Sequence, residues 1–188
     1  FDLTVAAVGA SSKLLDREGI SHITSYTHGS SHAGYYPNAL PLSVKINFSP
    51  TDGKLLGAQI VGFDGVDKRI DLFAQVIKKG GTIYDLQEIE HAYAPPYSSA
   101  KDPVNIAGFV ADNILKEKVN IIQWDQLNQL ERSNTLIIDT RTAEEHEFGN
   151  IKDSLNIPVD EIRKRLSEIP KDKTIIVYCA VGLRGYVA

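Results

Sequence analysis

The residue best suited to covalent chemistry is Cys179, the single cysteine in a chain of 188 residues. It heads the run Cys179-Ala180-Val181-Gly182-Leu183-Arg184-Gly185, directly after the β-forming stretch Thr174–Tyr178 and where a helix should begin. Backbone N–H groups of a strand-to-helix loop converge on one point and favour an anion there, an effect that a helix dipole strengthens. A thiolate is such an anion, and helix N-termini or nearby cations lower thiol pKa values to roughly 3.5–7.5. Gly182 permits a tight bend, and Arg184 supplies a fixed charge and a fork of donors. Cys179 and Arg184 are therefore the candidate catalytic pair, with Ala180, Val181, Gly182, Leu183 and Gly185 as the candidate cradle around the sulfur. A lone cysteine after a strand is otherwise usually a small buried hydrophobe. The glycine and arginine at these offsets favour chemistry here. Four residues separate Cys179 from Arg184. Cysteine phosphatases use a longer loop to wrap three phosphate oxygens, whereas the tighter ring suits a single sulfur.

A second chemical feature is a pair of aromatic loops, Gly34-Tyr35-Tyr36-Pro37 and Ala92-Tyr93-Ala94-Pro95-Pro96-Tyr97. Such rings can simply fill apolar gaps, since tyrosine combines a large apolar body with a polar tip. Proline also stiffens a loop at low entropic cost, which helps where a phenol must be placed accurately. The pattern alone leaves open whether Tyr35, Tyr36, Tyr93 and Tyr97 are packing residues or placed phenols. His28 and His32 flank Gly-Ser-Ser in a loop without a third ligand, so no metal is expected there.

The elements that must hold these groups follow from periodicity. Strands are expected over Leu3–Val8 and Ile20–Thr27, with a short helix between them capped by Ser11 or Ser12 and stopped by Gly19. Leu42–Phe48 alternates apolar and polar residues, Pro50–Gly53 turns, and Lys54–Gly62 returns, which predicts a hairpin. Val66–Lys79 places Ile70, Phe73, Val76 and Ile77 on one helical face, and a further helix is expected over Val104–Lys116. Beyond Lys116-Glu117-Lys118 the pattern changes to short strands alternating with helices. Helices are predicted over Trp124–Leu130, Thr142–Glu147 and Glu161–Ser167, and strands over Thr135–Asp139, Leu155–Pro158 and Thr174–Tyr178. That alternation implies a parallel sheet. The expected organisation is an α+β domain over residues 1–117, mostly antiparallel sheet with helices, followed by an incomplete α/β domain over residues 118–188.

Composition narrows the function. Hydrophobic residues make up 43% and charged residues 23%, ordinary for a folded globular chain. A net charge of -4, with no basic run interleaved with aromatics, argues against a nucleic-acid partner. No apolar run approaches a membrane span and no secretory signal opens the chain, so no membrane partner is expected. One thiol fits a reducing compartment, which points to the cytoplasm. A chain that begins at Phe1 and lacks methionine reads as trimmed or as a piece of a longer protein.

The cysteine run resembles the rhodanese active-site loop, Cys-x-x-Gly-x-Arg followed by Gly or Ser. The likeness extends over Ile138-Asp139-Thr140-Arg141, Glu144, Glu147-Phe148-Gly149-Asn150-Ile151 and Leu155-Asn156-Ile157-Pro158, with Asn150 where rhodaneses usually have histidine. It implies that Cys179 accepts a sulfane sulfur as a persulfide and passes it on. Only Tyr186, Val187 and Ala188 follow the loop, so a C-terminally truncated rhodanese domain is expected.

Residues 1–117 resemble the C-terminal dimerisation domain of pyridine nucleotide-disulfide oxidoreductases, especially coenzyme A-disulfide reductases and related NADH oxidases. The likeness is carried by His32–Pro37, Lys54–Gly62, Asp67–Asp71 and Tyr93–Asn105. It implies a homodimer through residues 1–117. It also implies that phenols from one subunit, Tyr35 or Tyr36 and Tyr93 or Tyr97, serve the partner's flavin and substrate. FAD and NAD(P)H would be bound by other domains of the parent enzyme, with no cofactor held by these residues alone. The parent would reduce a coenzyme A disulfide, persulfide or polysulfide. A free-standing sulfurtransferase and a non-catalytic dimerisation module remain the alternatives.

Overall fold

A computed structural model describes residues 2–188 and divides the chain into two compact units, Phe1–Asn120 and Ile121–Ala188. In the first unit the order is β1 (Thr4–Gly9), α1 (Ser12–Arg17), β2 (Ile23–Ser30), β3 (Pro41–Phe48), β4 (Leu55–Gly62), α2 (Val66–Lys78), α3 (Ile83–Glu88) and α4 (Pro103–Leu115). The strands form an antiparallel sheet in the order β1-β4-β3-β2. The predicted hairpin is β3–β4. Leu42, Val44, Ile46 and Phe48 of β3 point into the core with Ala58 and Ile60 of β4, as period-two side-chain alternation requires, and a register shift opposite Asn47 and Phe48 brings Leu55 to the same face. Phe73 of α2 and Val104, Ala107 and Ala111 of α4 close the same core.

Strand β2 starts three residues later than the spacing suggested. Gly19, at φ +65°, ends α1 and the Ile20 N–H donates to the Leu15 carbonyl, so Ile20 belongs to the helix terminus and not to the strand.

The most demanding feature of this unit is a buried ion pair. Arg69 of α2 and Asp102 at the N-cap of α4 are 0% and 2% exposed. The guanidinium donates from Nε to Oδ1 at 2.9 Å and from Nη2 to Oδ2 at 2.8 Å. Its remaining donors reach the carbonyls of Gly65 and Ser31. Asp102 also accepts from the Ser98 hydroxyl at 2.5 Å and the Val104 N–H at 3.0 Å. One buried cluster thereby ties Ser31, at the root of the Tyr35 loop, to Ser98, just beyond Tyr97. The Ala33 N–H joins the two loops directly by donating to the Pro95 carbonyl. Gly65 is required at its site. Its φ is +67°, and an added Cβ would lie 2.4 Å from Arg69 Nη1.

The second unit contains 3-10 turns at Trp124–Gln129 and Arg132–Asn134, then β5 (Thr135–Asp139), α5 (Ala143–Phe148), β6 (Leu155–Asn156), a 3-10 turn at Leu166–Glu168, β7 (Thr174–Tyr178) and α6 (Leu183–Val187). Its sheet is parallel, in the order β6-β5-β7. Ile138, Ile157 and Ile162 form its buried core. The helix expected over Glu161–Ser167 is a series of turns instead. The Lys164 N–H bonds three residues back to Glu161, the Arg165 N–H is shared between the Glu161 and Ile162 carbonyls, and the Arg165 side chain spends its donors on Glu161, Glu168 and the Asn156 carbonyl. The helix expected over Trp124–Leu130 is likewise 3-10.

Burial pushes the Asp102 carboxyl up, but bonds from Arg69, Ser98 and Val104 more than reverse this and hold it below the ordinary carboxylate range. Its contribution to stability is thus present above the unfolded value and lost as pH falls through the folded one. Asp102→Ala leaves the Arg69 guanidinium buried without its counter-ion. Urea unfolding at neutral pH should then show a loss of about 3–5 kcal/mol. A loss nearer the surface-pair figure of about 1 kcal/mol would mean that the loops are anchored otherwise. Gly65→Ala, which strains the backbone and pushes on the same guanidinium, should cost about 1–3 kcal/mol in the same assay.

Candidate active-site loop and phenol pair

Strand β7 is set against β5 from Thr174 to Tyr178, so Cys179 is the first residue past the sheet. The register is secured below it by Asp139, the fully buried last residue of β5. Asp139 accepts from Arg141 Nε and Nη2 at 2.9 and 2.7 Å, and from the Tyr178 hydroxyl at 2.8 Å; its Oδ2 also lies 2.9 Å from His146 Nδ1. The Tyr178 carbonyl accepts from both the N–H and the hydroxyl of Thr140. Burial pushes the Asp139 carboxyl up, yet these donors outweigh it and hold it far below its ordinary range. The residue that precedes the cysteine is thus fixed at both its carbonyl and its side chain.

Cys179 itself is half-buried, while Ala180, Val181, Gly182 and Leu183 are exposed. Gly182 has φ +93°, the left-handed turn that folds the chain back toward the sulfur. Its N–H donates to Sγ at 3.1 Å. Partial burial pushes the thiol up, but the N–H groups of Gly185, Val181, Gly182 and Arg184 together bring it below its ordinary value. The Val181 and Gly182 N–H groups belong to the turn and those of Arg184 and Gly185 to the first turn of α6, so the acidifying donors act locally on the sulfur.

Arg184 is turned to a carboxylate that the sequence reading passed over. Its Nη1 and Nη2 donate to Glu145 Oε2 and Oε1 at 2.6 and 2.8 Å. Glu145 is the N3 residue of α5, where its Oε2 also accepts the Thr142 N–H and its own N–H donates to the Thr142 hydroxyl. The signal was present: Thr142-Ala143-Glu144-Glu145 has capping-box spacing, which fixes the direction of the glutamate side chain. Hydrogen bonds from Arg184 and the Thr142 N–H bring the Glu145 carboxyl down to about 2.

In the first unit the Tyr35 and Tyr93 hydroxyls lie 3.2 Å apart, on rings 78% and 52% exposed. The Tyr93 hydroxyl and partial burial push the Tyr35 phenol above its ordinary value, so it keeps its proton at neutral pH. Tyr36 turns back to an edge-on contact with His32, at 5.9 Å between ring centres. Tyr97 is exposed and stands outside the phenol pair; its carbonyl accepts from Lys68 Nζ. His32 is occupied in its own loop, with Nε2 donating to the Pro37 carbonyl and Nδ1 beside the Ser31 hydroxyl, while His28 meets Ser43. Among the described residues no cluster of His, Cys, Asp and Glu could hold a metal ion. No helix among them is long and apolar enough to cross a membrane.

Two depressions lie on the surface of the first unit. One, of about 320 Å³, is lined by Asp16, Gly19, Ile20, Ser21 and His22, without a Tyr, Trp or Phe face and without an Arg or Lys for a pyrophosphate. A smaller one, of about 70 Å³, is lined by residues including Thr27, His28, Ser99, Lys101 and Pro103.

Comparison with known proteins bears on the family and fold of each unit. A family model of the pyridine nucleotide-disulphide oxidoreductase dimerisation domain matches residues 1–103, and one of the rhodanese-like domain matches residues 124–188. Coenzyme A disulfide reductase of Staphylococcus epidermidis is 40% identical over 111 residues, which is 59% of this chain and 25% of that protein. The crystal structure of reduced Bacillus anthracis CoADR-RHD is 48% identical and superposes with a TM-score of 0.95, covering 100% of this chain and 34% of that one. An NAD-dependent persulfide reductase from A. fulgidus is 36% identical with a TM-score of 0.85, covering 99% of this chain and 33% of that one. The chain thus spans about a quarter of the curated relative and a third of each solved chain. The antiparallel first unit and the parallel second unit are the folds of these two families, and the chain belongs to the pyridine nucleotide-disulphide oxidoreductases through its dimerisation domain, which a rhodanese-like domain follows.

Proposed function

We propose that this chain is the C-terminal part of an FAD-dependent, NAD(P)H-using reductase of a coenzyme A disulfide, persulfide or polysulfide, fused to a rhodanese sulfurtransferase. The observation that carries the sulfur chemistry is the set of N–H groups around Cys179, which bring the pKa of its thiol below its ordinary value and so favour the thiolate at a half-buried site. The Cys179 thiolate attacks the outer sulfur of a persulfide R–S–SH. A bond forms between Sγ and that sulfur, the S–S bond of the donor breaks, and R–S⁻ leaves with the electron pair. The proton stays on the transferred sulfur, giving Cys179–S–SH. The loop amides that faced the thiolate then face the persulfide.

The dimerisation domain, taken as residues 1–117 with the rhodanese domain at 118–188, pairs two subunits about a two-fold axis. FAD and NAD(P)H are bound by other domains of the parent enzyme and supply the reducing electrons there. Tyr35 and Tyr93 act in the partner subunit's site. A protonated phenol there donates a hydrogen bond to a departing thiolate, as a general acid does, and the hydroxyl contact between the two tyrosines supports this choice over Tyr36 and Tyr97. A cytoplasmic setting suits a chemistry that needs a reduced thiol.

The chain with its single cysteine permits a direct test. Incubation with glutathione persulfide should add one sulfur atom by intact mass, and Cys179→Ser should abolish the gain. No uptake by the wild type would leave a dimerisation module without sulfurtransferase activity. In the parent reductase, Tyr35→Phe or Tyr93→Phe should lower turnover by about 10²-fold with the flavin spectrum unchanged. Unaltered turnover in both would remove the phenols from the reaction.

A further inference from the structure

The hold of Glu145 on Arg184 bears on how the cysteine loop keeps its shape. Arg184 lies inside the loop: its own N–H and that of Gly185 are among the donors that face Cys179. Its guanidinium places both terminal nitrogens on Glu145 while still interacting with Cys179. Glu145 is itself fixed from behind by the capping box with Thr142 on α5. The neighbouring cation, Arg141, gives its fork to Asp139 and the Gly149 carbonyl, which leaves the Glu145 carboxylate to Arg184. A chain of short contacts therefore runs from the start of α5 to the peptide units beside the sulfur. A bidentate guanidinium–carboxylate pair restrains orientation as well as distance, so Glu145 holds the Arg184 side chain in place beside the sulfur.

We propose that Glu145 is a positioning residue for the cysteine loop: by its two-point hold on Arg184 it fixes the peptide segment whose N–H groups face Cys179. The proposal rests on the reading of Cys179 as the sulfur acceptor and names a residue that acts on it through Arg184. Geometry and charge predict opposite results. If Glu145 were only a negative charge near the thiolate, removing that charge would acidify Cys179 and keeping it would change nothing. As a positioning residue, it must keep its reach, whatever its charge.

The test is the pH dependence of iodoacetamide alkylation on the full chain, where Cys179 is the only thiol, with circular dichroism to verify folding. Glu145→Asp keeps the charge and shortens the side chain, so it should raise the alkylation midpoint by about one pH unit. Glu145→Gln keeps the reach and one acceptor, so its midpoint should stay at or below that of the wild type. An unchanged midpoint in Glu145→Asp, or a rise in Glu145→Gln as large as that in Glu145→Asp, overturns the proposal. Sulfur uptake from glutathione persulfide by the wild type, measured in parallel, separates the two readings. No uptake with the Glu145→Asp midpoint raised removes the sulfurtransferase reading and leaves the positioning role standing. Uptake with that midpoint unchanged does the reverse.

Discussion

The pair of Arg69 and Asp102 is the constraint around which the first unit is arranged. Two charges with almost no solvent contact are tolerated only if every donor and lone pair finds a partner. The partners found are the Gly65 carbonyl, the Ser31 carbonyl, the Ser98 hydroxyl and the Val104 N–H. Each lies on a different piece of chain, so meeting the electrostatic demand of one ion pair fixes the start of α2, the N-terminus of α4 and the roots of both aromatic loops. The apolar core beneath, from Phe48 to Phe73, supplies the bulk of the burial but carries no comparable directionality.

The rhodanese-like unit uses the same kind of device on a smaller core. Asp139 gathers Arg141, His146 and Tyr178 at the end of β5, and the strand that ends at Tyr178 delivers the cysteine. The acidity of the thiol then depends on amides only a few residues away. Local donors of this kind act at hydrogen-bond range, whereas a macrodipole needs several aligned turns.

Legibility in the sequence followed the range of the interactions. The β3–β4 hairpin and α2 were readable because alternation and a single apolar face are local patterns. The limits of β2 were missed because Gly19 and Ile20 serve the end of α1, and the turns over 161–165 were missed because Arg165 satisfies neighbours that a helix would have left exposed. Arg69 could have been noticed as a charge on the apolar side of α2, flanked by Val66 and Phe73, but its partner is 33 residues away. The cysteine loop was legible as a motif, whereas the Glu145–Arg184 bond spans 39 residues and the Tyr35–Tyr93 bond spans 58. No local spacing encodes either contact. The two loops could be seen as aromatic, but which phenols meet depends on the fold that brings them together.

The meeting of Tyr35 and Tyr93 carries a thermodynamic consequence of its own. Two exposed hydroxyls that already point at each other have given up much of their rotational freedom before anything arrives. A thiol or sulfur anion inserted between them exchanges one contact for two, with less disorder to remove than free side chains would require. Because each phenol is the other's resting partner, losing either ring would also set its neighbour loose.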